Sequence, residues 1–298
     1  MTVLPPIQPA PVAHYENFPV ASWLCPPALR PAIAALYAYA RTADDLADEG
    51  EAPADQRLAD LAAYQADLQA CLRGAPPSPR WAEVFVPLGA VIARHALPEQ
   101  PLRDLLDAFV QDVGRSRDGR GYADRTELLD YCRRSANPVG RLLLHLYGVD
   151  DPRAWAESDD VCTALQLINF WQDLSVDIPR GRFYVPASDC LAHGLDPARP
   201  ADWAQDPRGA QMVRSQVAWA RAVMLRGAGI VHRVPGRAGW ELRAVVQGGL
   251  RILDKIEASG FDSLRRRPRI TLADAPVILW RCLRMRAGTS APMGQSKA

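Results

Sequence analysis

The sequence predicts an all-α protein built around one apolar interior, and three observations carry that prediction. Apolar residues recur at helical spacing through most of the chain. Alternating or β-branched runs that would read as strands are nearly absent. Two polar ladders, Asp44 with Asp48 and Asn169 with Asp173 and Asp177, climb in steps of four, so each set shares one face of a helix.

The elements follow in chain order. Residues 1–13 read as a flexible lead-in, 14–287 as one all-α domain and 288–298 as a flexible tail. Pro26, Pro27 and Pro31 mark the entrance to a first helix that runs to about Glu49, with Ile33, Leu36, Tyr37 and Ala40 on its apolar face. Helical periods continue at about 56–73, 80–96 and 99–113. Gly114 to Gly121 reads as a loop, and a helix opening near Thr126 should kink or break at Pro138, which has no amide to donate. Further helices are expected at about 141–148, 153–178, 207–232, 238–258 and 272–284.

Composition narrows the function classes. A chain of 298 residues that is 48% hydrophobic can bury one large core, and its net charge of +1 gives no ground for a nucleic-acid partner. The charge is uneven: from Arg226 onward 14 Lys and Arg stand against 5 Asp and Glu. The arginines at 265, 266, 267, 269, 281, 284 and 286 fit a solvated basic face or a peripheral contact with anionic headgroups. Six dispersed cysteines without a CxxC pair read as reduced thiols. No signal pattern and no stretch of roughly 18 apolar residues is present, so a cytoplasmic protein is expected, at most peripheral at the inner face of the membrane.

The ladders carry the chemistry. Leu167, Ile168, Phe170, Trp171, Leu174, Val176 and Ile178 surround Asn169, Asp173 and Asp177, so that helix should be buried. Carboxylates taken into an interior need compensating cations or hydrogen bonds. One ladder alone fits a solvated face paired with arginine. Two ladders of hard oxygen donors, without Cys or His, suit Mg²⁺ or Mn²⁺ shared with phosphate oxygens. Asp44, Asp45, Asp48 and Glu49 also oppose the dipole at the end of their helix, which a bound cation would reverse. Arg41, Arg180 and Arg182 stand where they would add charge-assisted contacts to a diphosphate. Such a site suits ionisation of an allylic diphosphate beside an apolar, aromatic cavity.

These residues resemble the squalene/phytoene synthase family over roughly residues 14–285. The stretch Tyr37 to Asp48 is similar to its first aspartate-rich motif, and Gln166 to Asp177 with Gly181 to Pro186 to its second. Gly249 to Glu257 and Arg267-Pro268 resemble its C-terminal signatures. Within the family, Glu16 to Ser22, Ser135 to Gly140 and Asn169 to Asp173 are most similar to the hopanoid-pathway hydroxysqualene synthases.

The resemblance implies an isoprenoid synthase bundle around a central cavity. It implies that presqualene diphosphate, or farnesyl diphosphate, is bound and diphosphate released. It further implies Mg²⁺ at Asp44, Asp48, Asn169, Asp173 and Asp177, with Asp45 in support, and capture of the cation by water without NADPH. His14, Asn17, Phe18, Tyr37, Arg41, Gln166 and Tyr131 fall where the family binds diphosphate or lines its tunnel, and Tyr184 lies in the second motif. Gln172 departs from the pattern, since many relatives carry arginine there. Condensation of two prenyl diphosphates is the alternative reaction, and a presqualene diphosphate synthase would then be the upstream partner. Ser135, Asn137 and Tyr131 are the candidates for delivering water. A non-catalytic binding role would predict eroded aspartates, and both ladders are intact.

Overall fold

The computed structural model describes residues 25–285. Among them are twelve α-helices and no strand. Four helices form the N-terminal half: α1 (Arg30–Asp48), α2 (Ala54–Leu72), α3 (Ala82–His95) and α4 (Glu99–Asp118). Pro31 sits in the first turn of α1, where a missing amide breaks no helical bond. Their shared core is aromatic: Tyr39, Tyr64 and Phe85 are almost fully buried and in ring contact. The hydroxyl of Tyr39 donates to the Leu102 carbonyl at 2.7 Å and that of Tyr64 to the Tyr39 carbonyl at 3.0 Å, so both polar tips are satisfied inside the core.

Two short helices, α5 (Arg125–Ser135) and α6 (Asn137–Leu146), connect this half to the central helix α7 (Pro152–Gln172). The chain breaks at Ala136, two residues before Pro138, which then sits in the first turn of α6 where its missing amide breaks no helical bond. Helix α7 buries residues around most of its circumference and packs against α5, α6, α10 (Pro207–Gly227) and α11 (Gly236–Ala258). Gly227 permits the close approach of α10, because a Cβ there would stand 2.5 Å from the Glu157 carbonyl oxygen of α7. Trp171 is fully buried at the α7 core, and truncating it to alanine would cost roughly 3–5 kcal/mol. Between α7 and α10 lie α8 (Leu174–Asp177) and α9 (Ala187–Ala192), and α12 (Ala275–Arg284) closes the described chain against α11.

The structure corrects three expected boundaries. Helix α4 runs through Gly114 to Asp118 and ends at Gly119 with φ +62°; Arg115 holds this last turn by donating to the Gly121 carbonyl and to Glu127. The helix expected at 207–232 leaves α geometry at Gly227 and finishes as a 3₁₀ turn over Ala228–His232. The helix expected to run unbroken over 153–178 is interrupted at Asp173, whose ψ of +10° releases the following amides. Ser175 N–H then bonds the Ser263 carbonyl at 3.1 Å instead of continuing the α7 ladder. All six cysteines are free and buried. Among the described residues no helix is long and apolar enough to cross a membrane.

Candidate active site

The two ladders meet in one cavity of about 560 Å³, walled by α1, α4, α5, α6, α7 and α11. Asp44 and Asp48 enter it from α1, Asn169 from α7, Asp173 from the break and Asp177 from α8. Spacing by four on α1 explains the first pair. The second set keeps its common face despite the break, because the amides of Val176 and Asp177 both bond the Asp173 carbonyl at 2.8 Å and resume the helical turn. Gly181, at φ +74°, ends the turn after Pro179. Arg182 then reaches back across the cavity to Asp48 at 2.8 Å and joins the two motifs.

The remaining arginines divide between them. Arg41 pairs with Asp44 at 3.1 Å and with Asp45 and Glu49 at 2.5 Å, all on or just beyond its own helix. Asp45 is absent from the cavity wall, so its place is beside Arg41 rather than with the other four carboxylates. Arg180 faces a neighbouring hollow with Ala47, Asp48 and Glu49 instead of the main cavity. Tyr37, Gln166 and Tyr184 stand in the main wall. His14, Asn17 and Phe18 lie outside the described residues.

Gln172 is buried and its amide donates to the Pro268 carbonyl at 2.7 Å. That bond holds the segment carrying Arg267, whose guanidinium grips Asp173 at 2.5 and 2.9 Å. In the sequence Arg267 stands only among basic residues and C-terminal signatures; the fold sets it on the second ladder. Asp112 was missed altogether. It projects from α4 into the cavity and accepts the hydroxyl hydrogen of Tyr131. The signal was available, since Asp112 lies four and seven residues after Ala108 and Leu105, on the apolar face of α4.

Charge in this end of the cavity is only partly balanced. Burial pushes the Asp112 carboxyl up to about 7, with the Tyr131 hydrogen bond opposing the rise. Burial likewise raises Asp177 to about 7, helped by the charge of Asp173. Asp173 is raised by burial as well, against the pull of Arg267. Each shift reports a cost of keeping a carboxylate charged away from water.

Beyond the acids the wall becomes aromatic, then aliphatic. Phe170 and Tyr184 stack at 3.8 Å, and Tyr131 lies 6.3 and 6.4 Å from their centroids. Tyr131 and Ser135 stand one turn apart on α5 and both line the cavity. The Ser135 hydroxyl is buried without a hydrogen-bond partner among the described residues. Asn137 instead accepts from Thr163 at 2.9 Å within the packing of α6 on α7, which removes it from the cavity wall. Leu143, Leu165, Ile230, Val234, Leu242 and Val245 complete the far end, with one acid, Glu241, among them near Cys25 and Tyr147.

Residues 12–274 match the family model described as squalene/phytoene synthase. The chain belongs to the squalene/phytoene synthase family. Among curated members, the hydroxysqualene synthase of Sinorhizobium fredii is 34% identical over 81% of this chain and 78% of its own. That of Zymomonas mobilis is 41% identical over 60% and 57% respectively. The crystal structure of the squalene synthase HpnC from Alicyclobacillus acidocaldarius has a TM-score of 0.74 and 34% identity, covering 84% of this chain and 90% of that one. Membership establishes an enzyme family of all-α isoprenoid synthases, with the cavity at the centre of the bundle.

The donor set of this family member can be tested against a divalent ion. Five carboxylates, Asp44, Asp48, Asp112, Asp173 and Asp177, face the acidic end against three guanidinium groups, Arg41, Arg182 and Arg267. The surplus is negative and the donors are hard oxygens, which fits Mg²⁺ or Mn²⁺. Among the described residues no group of three or more His, Cys, Asp or Glu side chains is placed to hold a metal ion by itself. Two open walls facing each other leave coordination positions for phosphate oxygens, as suits Mg²⁺.

Proposed function

We propose that this chain converts presqualene diphosphate to hydroxysqualene in a metal-dependent reaction of hopanoid and squalene biosynthesis, releasing diphosphate and capturing the carbocation with water. One observation carries the reading. A single cavity passes from an acid- and arginine-lined end to an oily aromatic chamber, and between them Tyr131, Ser135 and Asp112 offer polar atoms to a water molecule. The two hydroxysqualene synthases reported above support it.

Asp44, Asp48, Asn169, Asp173 and Asp177 would hold Mg²⁺, which when bound stabilises charge on the departing diphosphate. Arg41, Arg182 and Arg267 add donors to the same oxygens. As the carbon–oxygen bond breaks, its electron pair leaves with the diphosphate. Phe170, Tyr131 and Tyr184 then present ring faces to the cation, worth on the order of 1 kcal/mol each. The Ser135 hydroxyl holds water beside that cation. Water forms the new carbon–oxygen bond through a lone pair and loses a proton to the Tyr131–Asp112 pair, whose carboxyl takes up protons near neutral pH. No hydride donor enters this balance.

Purified protein incubated with Mg²⁺ and presqualene diphosphate, without NADPH, should yield hydroxysqualene by gas chromatography and mass spectrometry. Squalene formed only with NADPH would overturn water capture. That second reading has its own support in the likeness of this chain to the squalene synthase from Alicyclobacillus. Presqualene diphosphate accumulating from farnesyl diphosphate would move the chain to the condensation step.

A further inference from the structure

Helix α12 has its faces reversed for a surface helix. Val277, Ile278 and Cys282 turn toward the body, and Arg281 turns inward to pair with Asp254 at 2.5 Å. The outward stripe instead carries Leu279, Trp280 and Leu283, 62%, 59% and 59% exposed, continued by Leu272 at 89%. An outward stripe is ordinarily polar, and large apolar side chains gathered on one mark an interaction surface.

Charge identifies the partner. From Ala275 to Ala298 the chain carries four basic residues and no acidic one. Arg284 is exposed on α12 itself, and its guanidinium lies over the Trp280 ring at 5.3 Å. Leucine and tryptophan on the stripe, with arginine at its rim, match the boundary between anionic headgroups and acyl chains. A second copy of the same face would bring arginine against arginine.

Position gives the surface a use. Asp274 is held by Arg251 and Lys255 at 2.8 and 2.6 Å, while Arg243 donates to the carbonyls of Cys282 and Met285 at 3.1 Å. Helix α12 therefore runs antiparallel to α11 and ends beside its N-terminal half. There Trp240, 45% exposed, lies under the Arg243 guanidinium and extends the outward patch. The inner face of that same half, at Ala238, Leu242 and Val245, lines the apolar end of the cavity.

We propose that the outward face of α12, together with Trp240, docks on an anionic lipid bilayer and places the apolar end of the cavity one helix away from the acyl chains. Transfer of a water-insoluble polyprenyl substrate and product is the consequence that rests on the function proposed above; docking itself is read without substrate.

The full-length chain is floated with vesicles of phosphatidylcholine alone and of phosphatidylcholine mixed with phosphatidylglycerol. Binding is expected to the mixed vesicles, to be strongly salt-sensitive, and to fall by at least about tenfold when Leu279, Trp280 and Leu283 are all changed to serine. Arg284→Gln should weaken it by roughly fivefold. Circular dichroism and a melting curve identical to wild type establish that the serine variant folds. The fluorescence difference between wild type and Trp280→Phe should be open to acrylamide in buffer and become protected on mixed vesicles. Protection already in buffer would show that the chain's own terminal residues cover the face and would overturn the proposal. So would a dimer by light scattering that the serine variant abolishes, or vesicle binding that the variant leaves unchanged.

Discussion

The two acidic motifs face the same cavity but are built differently. Asp44 and Asp48 ride an unbroken helix, with exposures of 38% and 34%, and the counter-charge nearest Asp44 is Arg41, three residues away. Asp173 stands at a helix break, is 22% exposed, and takes its counter-charge from Arg267, 94 residues further along the chain. The first motif thus finds a local counter-charge at Asp44, although Asp48 takes Arg182 from across the cavity, while Asp173 of the second depends on a distant partner. Identical chemistry can be required of both, yet their electrostatic support comes from different levels of the fold.

The comparison breaks most sharply under removal of the acids themselves. Asp44→Ala and Asp173→Ala should each lower turnover by about 10³-fold or more while circular dichroism stays native, because what is lost acts on developing charge. Near-normal turnover in either variant would remove that residue from metal binding. Asp112 supplies the next test. Its carboxyl is raised in the fold, so between about pH 4 and 7 the folded state binds a proton that the unfolded chain has released, and stability falls as pH rises through that window. The effect is on the order of a few kcal/mol, and melting curves in chelator should show a shallower pH slope for Asp112→Asn. An unchanged slope would mean that the group is ionised throughout.

Smaller effects separate the counter-charges. Arg267→Ala leaves Asp173 half-buried and unpaired, and should lower metal-free stability by about 1–3 kcal/mol. Arg41→Ala removes more exposed, local pairs and should cost about 0.5 kcal/mol. Equal losses in denaturant titrations would erase the distinction between local and tertiary support. Gln172→Ala removes one buried hydrogen bond, for about 1 kcal/mol, and should weaken pyrophosphate binding in calorimetry by loosening Arg267.

The same distinction explains what could be read from the sequence. Helix periods, the break at Pro138 and the shared faces of the ladders follow from local spacing, and the structure brings Asp44, Asp48, Asn169, Asp173, Asp177, Tyr131 and Gln166 to one cavity. The break at Asp173 was illegible because its cause is the carbonyl of Ser263. Gly114 to Gly121 reads as a loop from composition, whereas the helix continues to Asp118 because Arg115 ties its last turn to Gly121 and Glu127 just ahead. Arg267 stands out only through the signature it forms with Pro268, and nothing in that signature shows that it reaches Asp173, 94 residues back. Asp112 was overlooked despite a local signal: a lone acid on the apolar face of α4.

Two bonds lace the second motif to the C-terminal segment, Ser175 to Ser263 and Gln172 to Pro268. Synthesis runs from the N-terminus, so α1 can present its acids while the ribosome is still making the second half of the chain. The α7–α8 junction must wait for residues beyond 263 to emerge and return over a long loop, a slow closure that comes late in folding. A nascent or truncated chain therefore carries one finished acid face without its opposite, and the cavity acquires both walls only when translation is nearly complete.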